Sequence, residues 1–530
     1  MMVGDNFKNI RVYWLAFVVY WGIFLFGYDA GIAGGMVSQP YFQIHFGLVN
    51  PSGTVDEAKY TQVSSNVVSV LQAGAFFSAL GSAPISAWLG RRWTLIAFTI
   101  VFSVGAVLTT VAGGSRGIGY IYGGRAVSGV GIGGISAVAP ACVSECSPKG
   151  VRGRITGLAQ IMVAIGVMVS YFVNLGVGLH LANSDMVWKV PFGLQLVPAG
   201  LMCWGLLMVK ESPRWLASKG HVQEAIGNLA YLRKEQPDSR AVQHEIAEIK
   251  AAIREEQEAR EGFGLKKSFF GDGNFIRFII VFAIFVLQQW GGQNSVSYYA
   301  PQIFTSIGFT GTTNSLLASG IYGVVKVLAT MIFIFFFVDS LGRKISLFIS
   351  AVGMGITFFT VGAILGTNPV DNIQAGQQPP AASKAMAAML YIYVCFYSMG
   401  WGPPPTVYVS EIFPTHTRHY GLAIASGTQW LFSTSMLTLS EYVPSLICMT
   451  NFVVSKVTPT LVADLGYQIF FMFGAINIGG MTTFSLPLPE TKGRSLEEMD
   501  IIFGTVSLEA REAFIARQRR ELRWNRGIGG

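Results

Sequence analysis

A few ionisable side chains and several amides stand inside long apolar stretches of this sequence. The charged ones are Asp29, Arg125 and Lys326. A charge in a membrane interior is costly, so each of them predicts a function or a partner. A carboxylate can take up and release a proton, whereas an amide donates and accepts hydrogen bonds without charge, as recognition of an uncharged hydroxyl group requires. The amides in question are Gln160, Gln288, Gln289, Asn294 and Gln429.

The elements that must position these side chains are twelve apolar segments. Of the 530 residues, 51% are hydrophobic and only 12% are charged, which is about half the charged fraction of a soluble domain. A membrane-spanning helix needs about 20 apolar residues. Segments of this kind cover 12–36, 63–88, 93–113, 117–141, 154–178, 190–209, 275–304, 313–338, 345–366, 384–409, 420–455 and 463–487. We therefore predict an all-α membrane protein with twelve transmembrane helices.

The basic residues are concentrated in particular loops. Segment 210–267 holds eleven Lys and Arg residues and the tail 488–530 holds eight, whereas 38–62 has only Lys59. Basic residues accumulate in cytoplasmic loops, so this pattern predicts that both termini are cytoplasmic. The net charge of +8 is explained in this way and does not indicate a nucleic-acid partner.

The charged segment in the middle divides the chain into two sets of six spans. Its later part, Val242 to Glu261, has the pattern of an amphipathic helix. We expect a helical cytoplasmic linker between two bundles. The predicted parts are an N-terminus 1–11, a first bundle 12–209, a linker 210–274, a second bundle 275–487 and a tail 488–530.

Short signatures recur in both halves. Leu89-Gly90-Arg91-Arg92 corresponds to Leu341-Gly342-Arg343-Lys344, and Glu145 with Arg152 corresponds to Glu411 with Arg418. Duplicated halves around a site at the membrane midplane are typical of secondary transporters. No G-x-x-x-x-G-K-[ST] loop is present in the sequence, so we expect no ATP hydrolysis and no cofactor.

Seven motifs, in this order, resemble those of the sugar porter family of the major facilitator superfamily, over nearly the whole chain. They are Phe26-Gly27-Tyr28-Asp29, Gly124-Arg125, Pro140 to Glu145 with Arg152-Gly153, Glu211 to Trp215, Gln288 to Asn294 with Tyr298-Tyr299, Trp401-Gly402-Pro403, and Pro489 to Arg494. Within the family, the sequence is most similar to fungal permeases for hexoses, pentoses, sugar acids and quinate. The resemblance implies two pseudo-symmetric six-helix bundles.

The resemblance also implies that Asp29 lies beside Arg125. A carboxylate next to a guanidinium stays ionised, and one that loses this partner in a dry site takes up a proton. We therefore expect proton symport, with the proton as coupling ion. The alternative is a structural ion pair, whose net contribution to stability is small.

The resemblance assigns the remaining candidate residues to a substrate site and to gates. The five amides named above occupy family sugar-binding positions, and Phe26 and Trp430 match aromatic positions that cover the apolar face of a sugar ring. Glu145 is expected to pair with Arg92, and Glu411 with Arg343. The gating set is Arg92, Glu145, Arg152, Asp339, Arg343, Glu411 and Arg418.

The sequence departs from the family pattern in three side chains. Ala87 replaces an acid before Gly90, and Thr406 replaces a tryptophan that stacks on sugar. Lys326 lies inside a span, where it could bind the carboxylate of quinate or a uronic acid. The alternative for Lys326 is a structural pair or a side chain that extends to the membrane surface.

Span eleven is longer than the family pattern. Gln429 to Phe432 should continue directly into Asn451, but Ser433 to Thr450 intervenes. This segment contains Glu441 and Pro444, which are unsuited to a lipid-facing helix. Our hypothesis is that these 18 residues are encoded by a retained intron.

These features lead to a ranked set of functions. The leading interpretation is import of a hexose or pentose by proton symport through alternating access. The alternatives are a transporter of quinate or a sugar acid such as galacturonate, and a sugar sensor that does not transport. No catalytic motif indicates an enzyme. We expect a monomer in the lipid bilayer of the plasma membrane.

Overall fold

The fold is known from a computed structural model and is almost entirely helical. In the described part of the chain, the one β-type pairing is an isolated bridge between Val49 and Val55. The described residues are 9–50, 53–113, 117–148, 152–262, 274–337, 340–369, 378–413, 458–462, 465–492, 499 and 502–503.

The N-terminal half and the linker contain eleven helices in the described residues. Those of the half are α1 Ile10–Val37, α2 Pro40–His45, α3 Glu57–Leu89, α4 Arg91–Thr110, α5 Gly119–Cys146, α6 Arg152–His180, α7 Met186–Leu194 and α8 Leu196–Met208. Those of the linker are α9 Pro213–Ser218, α10 Val222–Arg233 and α11 Arg240–Gly262. The last one covers the amphipathic helix predicted at Val242 to Glu261.

The C-terminal half repeats the pattern with more interruptions. In the described residues its helices are α12 Asn274–Trp290, α13 Gln293–Tyr298, α14 Ala300–Ser306, α15 Thr312–Ile332, α16 Arg343–Thr367, α17 Ala381–Gly400, α18 Pro404–Ile412, α19 Gln468–Ala475 and α20 Thr483–Ser485. Two π-helical segments, Phe333–Phe337 and Ile476–Thr482, extend α15 and join α19 to α20.

The described helices confirm nine of the predicted membrane spans, and the span predicted at 463–487 is described as α19, a π-helical segment and α20. Nine helices in the described residues are long and apolar enough to cross a membrane, and Phe275–Trp290 is a shorter apolar helix. The predicted eleventh span, 420–455, lies outside the described residues together with Ser433 to Thr450. The span predicted at 275–304 is divided into α12, α13 and α14.

The division of this span follows from two adjacent glycines. Gly292 has a φ of +89°, a left-handed conformation that glycine adopts without the steric cost of a side chain. The chain leaves α12 at Trp290 and resumes as α13 at Gln293. This break exposes backbone carbonyls in the middle of a span, where only a polar cavity or protein partners can satisfy them.

The two halves pack against each other through α6 and α15, and through α1 with α13 and α14. Gly34 of α1 is one point of close approach, because a Cβ atom there would lie 2.1 Å from the Tyr298 carbonyl oxygen. Any larger residue at position 34 would therefore force α1 away from the broken span.

The two ends of the bundle differ. The linker end carries the turns at Arg91 and Arg343, and the opposite end carries Gly34. The linker docks on the N-terminal half, since Arg11 donates to the Tyr231 carbonyl over 2.6 Å and Arg233 donates to the Cys146 carbonyl over 3.0 Å.

Candidate functional site

The predicted Asp29–Arg125 pair is formed between α1 and α5. Both side chains are 1% exposed, and Arg125 Nη1 donates to Asp29 Oδ1. Gln195, between α7 and α8, donates from Nε2 to the same carboxylate oxygen over 2.8 Å. Arg125 Nε donates to the Val67 carbonyl over 3.0 Å, which fixes the guanidinium against α3.

This buried pair is incompletely satisfied. Asp29 Oδ2 and Arg125 Nη2 make no hydrogen bond to the described residues. Leaving a buried polar atom without a partner costs about 1–3 kcal/mol, and more for a charged group. The pair therefore has one free acceptor atom and one free donor atom in a site that excludes bulk water. A carboxylate that exchanges hydrogen-bond partners needs such free atoms.

A second polar group surrounds the break between α12 and α13. Gln288 Nε2 donates to the Trp401 carbonyl over 2.6 Å, so the end of α12 is tied to the end of α17. Asn294 Nδ2 donates to Gln289 Oε1 across the break. The structure thus brings together three of the amides predicted to bind substrate.

The lysine within span eight contacts α13 at Ser297, which lies one helical turn beyond Asn294. Lys326 Nζ donates to Ser297 Oγ over 3.3 Å. The same hydroxyl oxygen accepts from Gln293 Nε2 over 2.8 Å, and Tyr322 OH donates to Gln293 Oε1 over 3.1 Å. Tyr322, Gln293, Ser297 and Lys326 form one chain of hydrogen bonds, which we call the Lys326 chain.

The other predicted substrate residues are farther apart or outside the described part. Phe26 is half-buried in the N-terminal half, beside the cluster of Leu25 and Phe102. Gln160 is half-buried on α6, three helical turns before Tyr171, whose hydroxyl donates to the Ser297 carbonyl over 2.6 Å. Gln429 and Trp430 lie outside the described residues.

Among the described residues, each half has one ion pair between its helices at the linker end. Arg343 Nη2 lies 2.9 Å from Glu411 Oε1, as predicted. The prediction that Arg92 pairs with Glu145 was wrong, because Arg91 Nη2 holds that carboxylate at 3.0 Å. Arg92 instead donates from Nε to the Leu206 carbonyl over 2.8 Å. The repeated turn explains the correction, since Arg91 and not Arg92 follows the glycine, like Arg343.

Two further carboxylates cap the helices that begin at these turns. Glu211 accepts from the backbone N–H groups of Arg91 and Arg92, and Glu490 accepts from those of Arg343 and Lys344. A negative charge at a helix N-terminus is stabilised by the helix dipole. Both residues lie in motifs of the family resemblance, but their spacing from the turns did not predict that they cap these helices.

The pKa values of the two capping carboxylates are shifted in opposite directions. Burial raises the pKa of Glu211 and outweighs the hydrogen bonds from Ser212, Arg91 and Arg92. Burial also acts on Glu490, but there the backbone hydrogen bonds, with that of Lys492 the strongest, leave the pKa below its usual value. The cap of the C-terminal half therefore keeps its charge to a lower pH.

In each half, one hydroxyl group donates a hydrogen bond to the glutamate of the ion pair. Ser212 Oγ donates to Glu145 Oε2 over 2.6 Å, and Thr491 Oγ1 donates to Glu411 Oε2 over the same distance. Of the other predicted gating residues, Asp339, Arg418 and the side chain of Arg152 lie outside the described part.

The opposite end holds contacts between the halves. Gln302 Nε2 of α14 donates to the Gly34 carbonyl over 3.3 Å and to Tyr60 OH over 3.2 Å. By contrast, Arg91–Glu145 and Arg343–Glu411 each join helices of one half. The contacts of Gln302 therefore cross from one half to the other at the opposite end.

The sequence as a whole matches one family over almost its full length. The model of that family, described as sugar (and other) transporter, matches residues 15–503. The chain belongs to this family. Its members are membrane transporters, so the protein is a multi-pass transporter and not an enzyme.

Relatives of this sugar-family transporter include fungal permeases. It is 34% identical over 525 residues to a probable quinate permease of Neosartorya fischeri, and the match covers 97% of this chain and 91% of that protein. It is 33% identical over 517 residues to the quinate permease of Emericella nidulans, and that match covers 97% of this chain and 92% of the permease.

Solved structures share the fold of this transporter. The proton:xylose symporter XylE bound to 6-bromo-6-deoxy-D-glucose gives a TM-score of 0.73 at 25% identity, with 94% of this chain and 100% of that one covered. XylE from E. coli in a partially occluded inward-open conformation gives 0.71 at 23%, with 92% and 99% covered. The major facilitator fold of twelve helices in two bundles follows from this likeness.

Sequence reasoning missed several polar residues that this fold brings to the site. Gln195 contacts Asp29, and Gln293, Ser297 and Tyr322 surround Lys326. Gln293 lies between the predicted amides Gln289 and Asn294, so its place in the same motif was a signal that could have identified it. A single glutamine or tyrosine in an apolar helix carries no periodic signal that tells which neighbour it faces.

Proposed function

We propose that this transporter imports a small polyhydroxylated solute by proton symport through alternating access. The observation that carries the proposal is the buried Asp29–Arg125 pair, with its one spare acceptor and one spare donor. A carboxylate in the membrane interior that can exchange partners is the group most suited to carry a coupling proton.

The proposed cycle depends on which partners Asp29 has. In the described state, Arg125 and Gln195 both donate to one oxygen of Asp29 and stabilise its ionised form. Movement of α1 away from α5 removes these donors, and the carboxylate then takes up a proton from the side to which the site is open. Return of Arg125 releases the proton on the other side.

Alternating access would use the two ends of the bundle. The Gln302 contacts hold the opposite end closed, and they are neutral hydrogen bonds of about 1 kcal/mol each. A few bonds of this strength can break and re-form during a transport cycle. The ion pairs at the linker end would hold α4 to α5 and α16 to α18 while the halves rock, and they leave α1 able to shift against α5.

Proton coupling would allow accumulation against a gradient. A membrane potential supplies about 2.3 kcal/mol per charge per 100 mV. One pH unit adds about 1.4 kcal/mol. For a neutral solute and one proton, both together would support roughly 500-fold accumulation, since 1.36 kcal/mol corresponds to a factor of ten.

The amides around the broken span favour a hydroxylated substrate. Gln288, Gln289 and Asn294 offer donors and acceptors without charge, which suits a monosaccharide such as a hexose or a pentose. The second candidate substrate is quinate or a sugar acid such as galacturonate. Two relatives carry the name quinate permease, and Lys326 supplies a cation within the same half.

The proposal also includes the topology of the chain in the membrane. Both termini, the linker 210–274 and the tail 488–530 would be cytoplasmic because of their basic residues. The first bundle, 12–209, and the second, 275–487, would be the two rocking units of a monomer in the plasma membrane.

Uptake in a yeast that lacks its own hexose carriers tests the proposal. Labelled glucose, xylose, galacturonate and quinate would be supplied with and without a protonophore, to cells with the full chain or a chain without Ser433 to Thr450. We expect uptake of at least one solute that collapses with the protonophore. Uptake that ignores the protonophore would make the protein a facilitator. No uptake of any solute, with protein at the membrane, would favour a sensor.

A further inference from the structure

Lys326 is a cation with no anionic partner in the described part of the chain. It stands in the middle of α15, is half-buried, and makes one hydrogen bond, to Ser297 Oγ. No Asp or Glu of the described residues lies within ion-pair distance of its ammonium. A lysine in a span that neither pairs with a carboxylate nor reaches the membrane surface is a candidate for contact with a substrate.

The neighbours of Lys326 orient its ammonium. The amide of Gln293 is occupied at both ends, by Tyr322 OH at its oxygen and by Ser297 Oγ at its nitrogen. Ser297 is therefore held in place, and it in turn holds Lys326 Nζ at 3.3 Å. Because an ammonium has three N–H donors and Ser297 uses one, two remain for a ligand.

The amide of Asn294 and the hydroxyl that holds Lys326 belong to the same short helix, α13. Asn294 and Ser297 are three residues apart on α13, so they lie on one helix face about 4.5 Å apart along the axis. A ring with hydroxyl groups at one end and a carboxylate at the other could meet the Gln289–Asn294 amides and Lys326 together.

We propose that the Lys326 chain is a carboxylate-binding subsite, and that the transported solute is an anionic polyhydroxy acid. The two remaining N–H groups of Lys326 donate to the two carboxylate oxygens, and Ser297 fixes the direction of the ammonium. The inference rests on the transport function proposed above. It narrows the substrate from hydroxylated solutes in general to those with a carboxylate.

Binding to the purified full chain tests this subsite without a need for transport. Galactose and galacturonate form a matched pair, because they differ only at C6, and quinate is a second acid. The rise in melting temperature with ligand concentration gives an apparent Kd for each solute. We expect at least one acid to bind the wild type at least tenfold more tightly than galactose does.

Variants then assign the preference to the lysine. Lys326→Gln should weaken binding of the acid at least tenfold more than it weakens binding of galactose, whereas Lys326→Arg should keep a preference for the acid. Ser297→Ala is a second, milder variant that should weaken binding of the acid in the same direction. Lys384→Gln removes an exposed lysine of the same half and serves as the matched control.

The outcomes separate this inference from the proposed function. Unchanged binding of the acid in both Lys326→Gln and Ser297→Ala, or a wild type that prefers galactose, would overturn the subsite. Proton-coupled uptake of neutral sugars alone would leave the transport proposal standing and reject the carboxylate. Lysine-dependent binding of the acid, with no proton-dependent uptake of any solute, would uphold the subsite and reject symport.

Discussion

Gln195 Nε2 lies 2.8 Å from Asp29 Oδ1, the same oxygen that accepts the Arg125 guanidinium. The amide comes from the junction of α7 and α8, so it ties the proton-site candidate to the sixth span as well as to α5. Asp29 is thus held by two helices, and a shift of either one changes the stability of its charge.

Replacement of Gln195 by Leu should alter the proton dependence of uptake. A hydrogen bond to a charged group contributes about 1.5–3 kcal/mol. Without it the ionised form of Asp29 is less stable, so half-maximal uptake should move to a more alkaline external pH by about one unit or more. A pH series of initial uptake rates measures the shift, and an unchanged profile would mean that Gln195 has only a packing function.

Loss of the Gln302 contacts should open the opposite end. Gln302→Ala removes two hydrogen bonds between the halves, about 2 kcal/mol together, which corresponds to a population shift of roughly thirtyfold. Spin labels at Ile44 and Thr313, both exposed at that end, would report the distance between the halves. We expect a longer distance to gain population, and the same distribution as the wild type would contradict this function of Gln302.

The ion pair between Arg343 and Glu411 should be measurable and modest. Both side chains are partly exposed, so the pair should contribute about 1 kcal/mol or less. Arg343→Ala should lower the melting temperature slightly more than Lys344→Ala does, because Lys344 holds no such pair in the described residues. A double-mutant cycle with Glu411→Ala gives the coupling energy. A value near zero would show that the pair does not stabilise the fold.

The two helix caps should respond to pH with opposite signs. The pKa of Glu490 lies below its usual value, so its stabilising charge is present above about pH 4.3 and is lost as the pH falls further. The advantage of the wild type over Glu490→Gln in thermal unfolding should therefore shrink in acid. Burial raises the pKa of Glu211, so the wild type should gain stability relative to Glu211→Gln as the pH falls. Parallel trends for both variants would contradict the assignment.

The retained-intron hypothesis for Ser433 to Thr450 can be tested on the transcript. If a retained intron encodes it, the sequenced cDNA should join the codons of Phe432 and Asn451 directly. A transcript that contains the 18 codons would reject the hypothesis. Comparison of uptake by the two chains would then show whether the segment permits transport.

Hydropathy and intramembrane charge predicted most of the fold and the centre of the site. The apolar segments gave the spans, and the cost of a buried charge gave Asp29, Arg125 and Lys326. The break in span seven lies at the glycine pair Gly291 and Gly292, which the span predicted at 275–304 did not take into account. These signals work because a membrane penalises polar groups strongly, so that few are present without a reason.

Contacts that depend on side-chain direction were not predictable in this way. The error at Arg92 came from two adjacent arginines in one turn, where only the structure tells which one faces Glu145. Gln195 and Ser297 are distant in sequence from Asp29 and Lys326, and their partners depend on how the helices rotate against each other.

Proton movement driven by the solute tests the central claim most directly. Purified protein in liposomes that contain a pH-sensitive dye would receive an inward gradient of the transported solute, with no initial pH gradient. The account predicts that the lumen acidifies as solute enters, and that Asp29→Asn lets solute enter or exchange without acidification. Entry of solute into wild-type liposomes with no change in luminal pH would contradict proton symport and leave Asp29 and Arg125 as a structural ion pair.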